Sequence, residues 1–279
     1  GVLTNLAPDH LDRYDSVEAY WADKARLFDK ATERSVWVLN GDQPEVEALA
    51  GSAPGRRYRF TAGPAAGSAA WIEGGRMVLE IDGVREELVA VSELPLLGRN
   101  NAINALCAAL VARLAGAGIE GIRAGLRTAR PLPHRLEAVA ETGGVLWVND
   151  SKATNVASAV SAVESLARPL VLLLGGKDKG ETLAPLAAAL IAARTRLRAA
   201  LIFGAAGPRL ADALADADAA LPLRRVEGGL DGAVALARTL ARPGDAILLA
   251  PACSSFDEFE NYEARGRRFA ELARRGEAA

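Results

Sequence analysis

The chain has 279 residues and a mass of 29.2 kDa, a length at which about two domains are expected. Half of the residues are hydrophobic, 24% are charged and the net charge is −2, which excludes a mainly disordered chain and a broadly basic surface for nucleic acid. No apolar run approaches the roughly 20 residues of a membrane-spanning helix, so we expect no membrane partner. Two cysteines make no disulfide framework, and a reducing cytoplasm is the expected location.

The first part of the chain predicts a mixture of helices and short strands. Ser16 is a helix cap, and the apolar residues after it recur at helical spacing, whereas the residues around Gly74-Gly75 and Asp82-Gly83 alternate as in β-hairpins. Pro131-Leu132-Pro133 then interrupts the helical pattern, and we expect a domain boundary there. The predicted elements are a helix over 16–30, a strand over 35–40, short strands within 57–90, and helices over 100–114 and 119–130.

After Pro133 the pattern becomes an alternation of strands and helices. Two strands, 136–141 and 145–149, flank a Gly-Gly turn, and short apolar strands then alternate with helices. Short, continuously apolar strands between helices are typical of a parallel sheet covered on both faces, so a doubly wound α/β domain is predicted. The later predicted elements are helices over 156–166, 183–193, 209–215 and 230–240 and from about 259, and strands over 170–174, 200–203, 223–226 and 246–249.

Polar segments follow three of these strands. They are Asn149–Asn155, Gly175–Gly180 and Ala250–Asp257, and they bring together lysines, a carboxylate, hydroxyls and glycines. Ligands of open parallel sheets bind beyond the carboxyl ends of the strands, where ammonium groups and loop N–H groups suit an anion. Ordinary strand-to-helix turns have a similar composition. The sequence therefore allows two interpretations of these segments, a ligand-binding site or three ordinary turns.

Lysine is scarce in this chain, which has 28 arginines and 5 lysines. Lys152, Lys177 and Lys179 lie in two of the polar segments, while Lys24 on a predicted helix could also be an ordinary surface lysine.

Asp9, His10 and Asp12 are potential metal ligands, although an isolated histidine is more often structural. Asn101 and Asn104 share a helix face, and Arg135 follows the proline segment. No G-x-x-x-x-G-K-[ST] phosphate loop occurs in the sequence.

Taken together and in order, several segments resemble the Mur ligase superfamily. Asn149–Asn155, with the sequence N-D-S-K-A-T-N, is the most specific of them and indicates the branch that adds D-glutamate. The other matching segments are Thr4-Asn5, Asp9–Tyr14, Tyr20 with Lys24, Gly98–Asn104, Leu132–Glu137, Leu172–Gly176 with Lys179, and Pro251–Asp257 onward to Arg265.

The resemblance implies an architecture and a reaction. Residues 1–132 would be the C-terminal portion of a central P-loop-ATPase-like domain, and residues 133–279 a Rossmann-like domain that binds the incoming amino acid. Because the phosphate loop and a UDP-binding domain would lie upstream, we expect the natural chain to begin earlier and this polypeptide alone to be nearly inactive. The implied reaction is ATP- and Mg²⁺-dependent ligation of D-glutamate to UDP-N-acetylmuramoyl-L-alanine through an acyl phosphate, by a cytoplasmic monomer that takes part in peptidoglycan synthesis.

The resemblance also assigns roles to residues. Lys24 would be a carbamylated lysine that holds the metal with His10, and Lys152 would act near the phosphates. ATP would be bound by Asn101, Asn104, Arg135 and Asp150, and D-glutamate by Thr154, Lys179, Ser255, Phe256 and Tyr262. Phe256 and Tyr262 could instead be core aromatics. The alternatives for the whole chain are another Mur-type or folylpolyglutamate-type ligase, or a non-catalytic α/β binding module.

Overall fold

The computed structural model describes residues 1–7 and 13–275. The chain divides into two compact units, Gly1–Pro95 with Arg99–Ala129, and Leu96–Gly98 with the residues from Arg130 onward. The break near residue 130 lies close to the boundary predicted at 132/133. Leu96–Gly98 joins the second unit because Leu97 packs against the hydrophobic core of that unit.

The first unit is built on a six-stranded mixed sheet in which the strands follow each other in chain order. Its first four strands are parallel, and the last two continue as antiparallel hairpins. Ser16 caps the first helix by accepting a hydrogen bond from the Ala19 N–H at 3.1 Å. The elements are β1 (Val2–Leu3), α1 (Val17–Ala25), β2 (Val36–Asn40), α2 (Pro44–Ala50), β3 (Arg56–Phe60), β4 (Ser68–Glu73), β5 (Arg76–Ile81), β6 (Val84–Ala90), α3 (Arg99–Leu114) and α4 (Ile119–Thr128).

The second unit is a six-stranded sheet in the order β11-β10-β9-β12-β8-β7. Neighbouring strands are parallel except for β7, which forms an antiparallel hairpin with β8 at one edge. Its elements are β7 (Glu137–Thr142), β8 (Val145–Asn149), α5 (Val156–Ser165), β9 (Leu170–Gly175), α6 (Ala184–Ala192), β10 (Leu197–Phe203), α7 (Gly207–Ala217), β11 (Leu223–Arg225), α8 (Gly229–Leu240), β12 (Ala246–Ala252) and α9 (Tyr262–Arg274).

Both faces of this second sheet are buried. Val148, Leu172 and Leu248 pack with residues of α5, α6 and α7 in one cluster, and their strand neighbours Trp147 and Ile247 pack with α8 and α9 in another. Alternate residues of a strand face opposite sides of a sheet, so continuously apolar strands need helices on both sides. The predicted doubly wound α/β fold is confirmed.

The sequence patterns missed some features of the fold. Helix α2 begins with Pro44, one residue after an Asn-Gly-Asp turn, and a seven-residue helix gives little periodicity to detect. The last helix begins at Tyr262 and not near 259, because Asn261 accepts the Ala264 N–H at 2.7 Å and caps it. The two cysteines, Cys107 and Cys253, are both free and buried.

Candidate functional site

Three polar loops of the second unit meet at one edge of its sheet. They are loop A (149–155), loop B (175–180) and loop C (250–257), and each contains the end of a strand and the residues after it. Strand β12 lies between β8 and β9, parallel to both, with Leu249 in register with Asn149 and Leu173. The strand order reverses here, which is where open α/β sheets bind ligands.

Asn149 organises the beginning of loop A. Its side chain is fully buried, and Oδ1 accepts the Ser151 N–H at 3.1 Å. The amide Nδ2 therefore faces the other way and donates to the Gly266 carbonyl at 3.1 Å and to Nδ1 of His134 at 2.9 Å. A Cβ on Gly266 would lie 2.3 Å from that Nδ1, so only glycine allows the imidazole to approach helix α9 this closely. Asn149 thus ties loop A to both His134 and α9.

Asp150 is the carboxylate of loop A and is 9% exposed. Burial raises its pKa to about 6, although the hydrogen bond from the Leu136 N–H and the charge of Arg135 act in the opposite direction. His134 and Leu136 both have positive φ, so the segment that presents Arg135 has an unusual backbone conformation. The carboxyl group changes its charge close to neutral pH, and Arg135 itself is exposed.

Lys152 is held against an aromatic ring. Its Nζ lies 4.1 Å from the centroid of the Tyr262 ring, and the His134 ring meets the same ring edge-on at 6.2 Å. The Ser151 hydroxyl donates to the Tyr262 carbonyl at 2.8 Å, which connects loop A to the first turn of α9. Lys152 and Tyr262 are therefore neighbours, and an ammonium group on an aromatic face keeps donors available for an anion.

Loops B and C are joined by backbone hydrogen bonds. The Lys177 N–H donates to the Ser254 carbonyl at 2.9 Å, and the Ser254 N–H and hydroxyl both donate to the Lys177 carbonyl. Gly176 has φ of +130°, and a Cβ there would lie 2.1 Å from the Ser254 oxygen. Only glycine permits the two loops to come this close.

The charges of loop B are divided between paired and exposed groups. Asp178 forms an ion pair with Arg209 at 2.6 Å, whereas Lys179 is exposed. The Glu181 carboxylate accepts the Val156 N–H at 3.1 Å, and Asn155 accepts the Ser158 N–H at 2.8 Å. The start of α5 is thus already capped by the protein, and the anion-binding potential of this edge depends on side chains more than on that helix terminus.

The candidate D-glutamate residues differ in exposure. Ser255 is 2% exposed, whereas the next residue, Phe256, is 68% exposed, so Phe256 is not a core aromatic. Thr154 and Tyr262 are partly buried. The backbone carbonyl of Ser255 accepts hydrogen bonds from the N–H groups of Glu258 and Phe259, which turns the chain towards α9. Loop C therefore offers the buried hydroxyl of Ser255 and the exposed ring of Phe256.

Arg265 lies beneath the three loops and was not predicted as a site residue. It is 1% exposed and extends from α9 to carbonyl oxygens in all three loops. Burial lowers the pKa of the guanidinium to about 10, so the group is charged at neutral pH. Arg265 ends one of the segments that resemble the Mur ligases, but among 28 arginines only the following Gly266, an unfavourable residue within a helix, distinguishes it locally.

The first-unit candidates belong to other elements. Lys24 on α1 is partly buried, with Nζ 4.7 Å from the Tyr20 ring centroid. On α3, Asn101 is partly buried and Asn104 is exposed. His10 lies outside the described residues. Within residues 1–7 and 13–275 no group of three or more His, Cys, Asp or Glu side chains lies together as a metal site.

Comparison with known proteins identifies relatives of both units. Residues 1–112 match the Mur ligase middle domain, and residues 134–253 match the Mur ligase glutamate ligase domain. A UDP-N-acetylmuramoylalanine–D-glutamate ligase from Acidobacterium capsulatum is 43% identical over 285 residues, covering 100% of this chain and 60% of the relative. The enzyme of the same name from Myxococcus xanthus is 42% identical over 276 residues, covering 97% of this chain and 59% of the relative. The chain thus spans about three fifths of the length of these curated relatives.

Solved structures show the same fold at low sequence identity. A pseudomurein peptide ligase type C from Methanothermus fervidus superposes with a TM-score of 0.67 at 18% identity, covering 97% of this chain and 62% of that one. The UDP-N-acetylmuramoylalanyl-D-glutamyl-2,6-diaminopimelate–D-alanyl-D-alanyl ligase from Acinetobacter baumannii gives 0.66 at 14% identity, covering 97% and 58%. The chain therefore belongs to the Mur ligase family and carries the middle domain and the glutamate ligase domain of that family.

Proposed function

We propose that the natural protein carrying this sequence ligates D-glutamate to UDP-N-acetylmuramoyl-L-alanine with hydrolysis of ATP. The observation that supports this most is the meeting of loops A, B and C at one sheet edge, with Lys152, Lys179 and Ser255 in the three loops. Relatives that are 43% and 42% identical have the corresponding name, which favours D-glutamate over other amino acids.

The proposed chemistry has two steps. The carboxylate of UDP-N-acetylmuramoyl-L-alanine attacks the γ-phosphorus of ATP, which forms an acyl phosphate and releases ADP. The amine of D-glutamate then attacks the acyl carbon, loses a proton and expels phosphate, which leaves the amide. Cationic side chains offset the charge of the phosphates and of the dicarboxylate. Lys152 would act on the phosphates, with Thr154, Lys179, Ser255, Phe256 and Tyr262 around D-glutamate.

We also propose which residues contact ATP and Mg²⁺. Asn101, Asn104, Arg135 and Asp150 are the proposed ATP contacts. Mg²⁺ would neutralise phosphate charge with His10 and Lys24 as its ligands, and Lys24 would be suitable only as a carbamate, whose oxygens resemble those of a carboxylate. Among the described residues, no three His, Cys, Asp or Glu side chains lie together as a metal site, and His10 lies outside those residues. Among those residues no helix is both long and apolar enough to span a bilayer. A cytoplasmic monomer is the proposed state.

Steady-state kinetics of the natural protein test this function. We expect amide formation with D-glutamate to exceed that with L-glutamate, L-lysine or diaminopimelate. We expect Lys179→Ala to raise the KM for D-glutamate by about 10- to 100-fold, the usual contribution of a hydrogen bond to a charged group. Lys30→Ala, which removes an exposed lysine of the first unit, is the matched control.

Two results would contradict the proposal. Preference for another amino acid would favour a different Mur-type or folylpolyglutamate-type ligase. Absence of any ATP-dependent amide formation would favour a non-catalytic binding module. Equal KM values for Lys179→Ala and Lys30→Ala would contradict the assignment of Lys179 to the D-glutamate pocket.

A further inference from the structure

The guanidinium of Arg265 is completely satisfied by hydrogen bonds. Nε donates to the Ser151 hydroxyl at 3.0 Å, and Nη2 donates to the Ser151 carbonyl at 3.0 Å and the Cys253 carbonyl at 3.1 Å. Nη1 donates to the carbonyls of Ser254 at 3.2 Å and Gly175 at 3.4 Å. An arginine side chain has five N–H donors in a fixed plane, and each of them has an acceptor here.

These acceptors come from three separate parts of the chain. Ser151 lies in loop A, Gly175 in loop B, and Cys253 and Ser254 in loop C. Loop A carries Lys152, loop B carries Lys179 and loop C carries Ser255. A single planar group therefore fixes the spacing between the three loops that supply the proposed amino-acid site.

A purely structural role explains this arrangement poorly. Burying a cation without a paired carboxylate costs free energy. The hydrogen bonds of Arg265 go to carbonyls and one hydroxyl, with no carboxylate among them. The positive charge is thus not neutralised by a bonded anion, and it lies directly below loops suited to an anionic ligand.

We propose that Arg265 is the positioning residue of the amino-acid site, which holds loops A, B and C at the spacing that D-glutamate requires. The inference rests on the proposed function for the identity of the ligand. The clamping of the loops does not depend on that identity, because it is defined by the hydrogen bonds alone.

The variants remove the donors in steps. Arg265→Lys keeps the charge and at most three of the five donors, and Arg265→Met removes charge and donors while keeping an unbranched side chain. Arg268→Met is the matched control, because Arg268 lies on the same helix and pairs with Asp231. Near-UV circular dichroism identifies which variants are folded, and Arg265→Lys remains informative if Arg265→Met is not.

The first measurement is kinetic and uses the natural protein. We expect Arg265→Met to raise the KM for D-glutamate by about 10- to 100-fold, as for displaced binding groups, with a smaller increase for Arg265→Lys. The KM for ATP should rise by a smaller factor, because Asn101, Asn104 and Arg135 lie outside the clamped loops, whereas Asp150 and Lys152 lie in loop A. Equal KM values for D-glutamate in the parent, Arg265→Lys and Arg268→Met would overturn the inference, as would a rise in the KM for ATP that equals or exceeds the rise for D-glutamate.

The second measurement is hydrogen exchange and needs no ligand. In Arg265→Lys, we expect faster exchange in loops A, B and C together, with no change in the first unit and no effect of Arg268→Met. Unchanged exchange in the loops would overturn the positioning role even if D-glutamate is the substrate. If the parent does not use D-glutamate, the proposed function fails, and the exchange result alone decides whether Arg265 clamps the loops.

Discussion

The two units each contain a six-stranded sheet, but only the second sheet interrupts its own strand order. In the first sheet, β1 to β6 are neighbours in the order of the chain. In the second sheet, β12 separates β8 from β9, so the loops after three neighbouring strands converge. Buried apolar residues occur in the strands of both sheets. Strand order determines where the polar loops collect.

The buried Arg265 of the second unit differs from the surface arginines of the first unit. In the first unit, Arg76, Arg85 and Arg113 form ion pairs with carboxylates at the surface. In the second unit, Arg265 is buried and donates to backbone carbonyls. Exposed ion pairs contribute little to stability, whereas buried polar groups cost much free energy when they lose their partners. Substitutions in the two units should therefore have very different effects.

The largest difference in the free energy of unfolding is expected between variants of Arg265 and Arg113. We predict that Arg265→Met lowers the free energy of unfolding by about 4 kcal/mol, because several buried acceptors lose their donors. Arg113→Met in the first unit should cost less than about 1 kcal/mol. Urea unfolding followed by circular dichroism measures both values, and similar costs would contradict the contrast between the units.

A somewhat smaller loss of stability is expected when Gly176 is substituted. Gly176→Ala should destabilise the second unit by about 3 kcal/mol, because the new Cβ would collide with the Ser254 carbonyl at a φ that alanine adopts poorly. Gly63→Ala in the first unit, where a Cβ meets nothing within 4 Å, should stay within about 0.5 kcal/mol of the parent. Thermal unfolding of the two variants tests this, and a neutral Gly176→Ala would show that loops B and C separate easily.

Asp150 should make the stability of the second unit depend on pH. Its pKa is raised from 3.8 to about 6, so the folded state holds a proton that the unfolded state loses. The cost of ionising the buried group is absent below pH 3.8, grows up to pH 6 and is constant above it. Asp150→Asn should therefore stabilise the chain by about 2–3 kcal/mol at pH 7 and much less at pH 4.

Urea midpoints measured for the parent and Asp150→Asn at pH 4, 5, 6 and 7 test this dependence. A stability difference that stays constant over this range would show that Asp150 ionises with an ordinary pKa.

The smallest change in the free energy of unfolding is expected when a surface ion pair of the first unit is removed. Arg76 and Glu87 are 3.1 Å apart, and both side chains are about half exposed. Arg76→Met should change the free energy of unfolding by less than about 0.5 kcal/mol, and high salt should remove even that difference. A cost similar to that of Arg265→Met in urea unfolding would contradict the contrast between surface and buried arginines.

Much of the fold could be predicted because local patterns determine it. The apolar runs of β8, β9 and β12 and the cap residue Ser16 carry their own signals. The meeting of loops A, B and C was also predictable, because parallel strands end at the same edge. Helix α2 gave too short a pattern, and the antiparallel direction of β7 followed only from its hairpin with β8.

The site was harder to predict where its residues act through distant partners. Lys152 and Lys179 were noticed because lysine is rare in this chain. Arg265 looks like any helical arginine, and its role depends on acceptors that lie 114 residues away at Ser151 and 90 residues away at Gly175. Likewise, no local pattern shows that Glu181 occupies the start of α5. The separation in sequence, not weak chemistry, hid these contacts.

That separation has a consequence for synthesis on the ribosome. Chains emerge from the amino end at about 5–20 residues per second, so Ser151 and Gly175 leave the exit tunnel several seconds before Arg265. For most of this interval β12, which lies between β8 and β9, is absent as well, because it comprises Ala246–Ala252. The central strand order of the sheet and the hydrogen bonds of Arg265 should therefore be completed close together in time, once residue 265 has emerged.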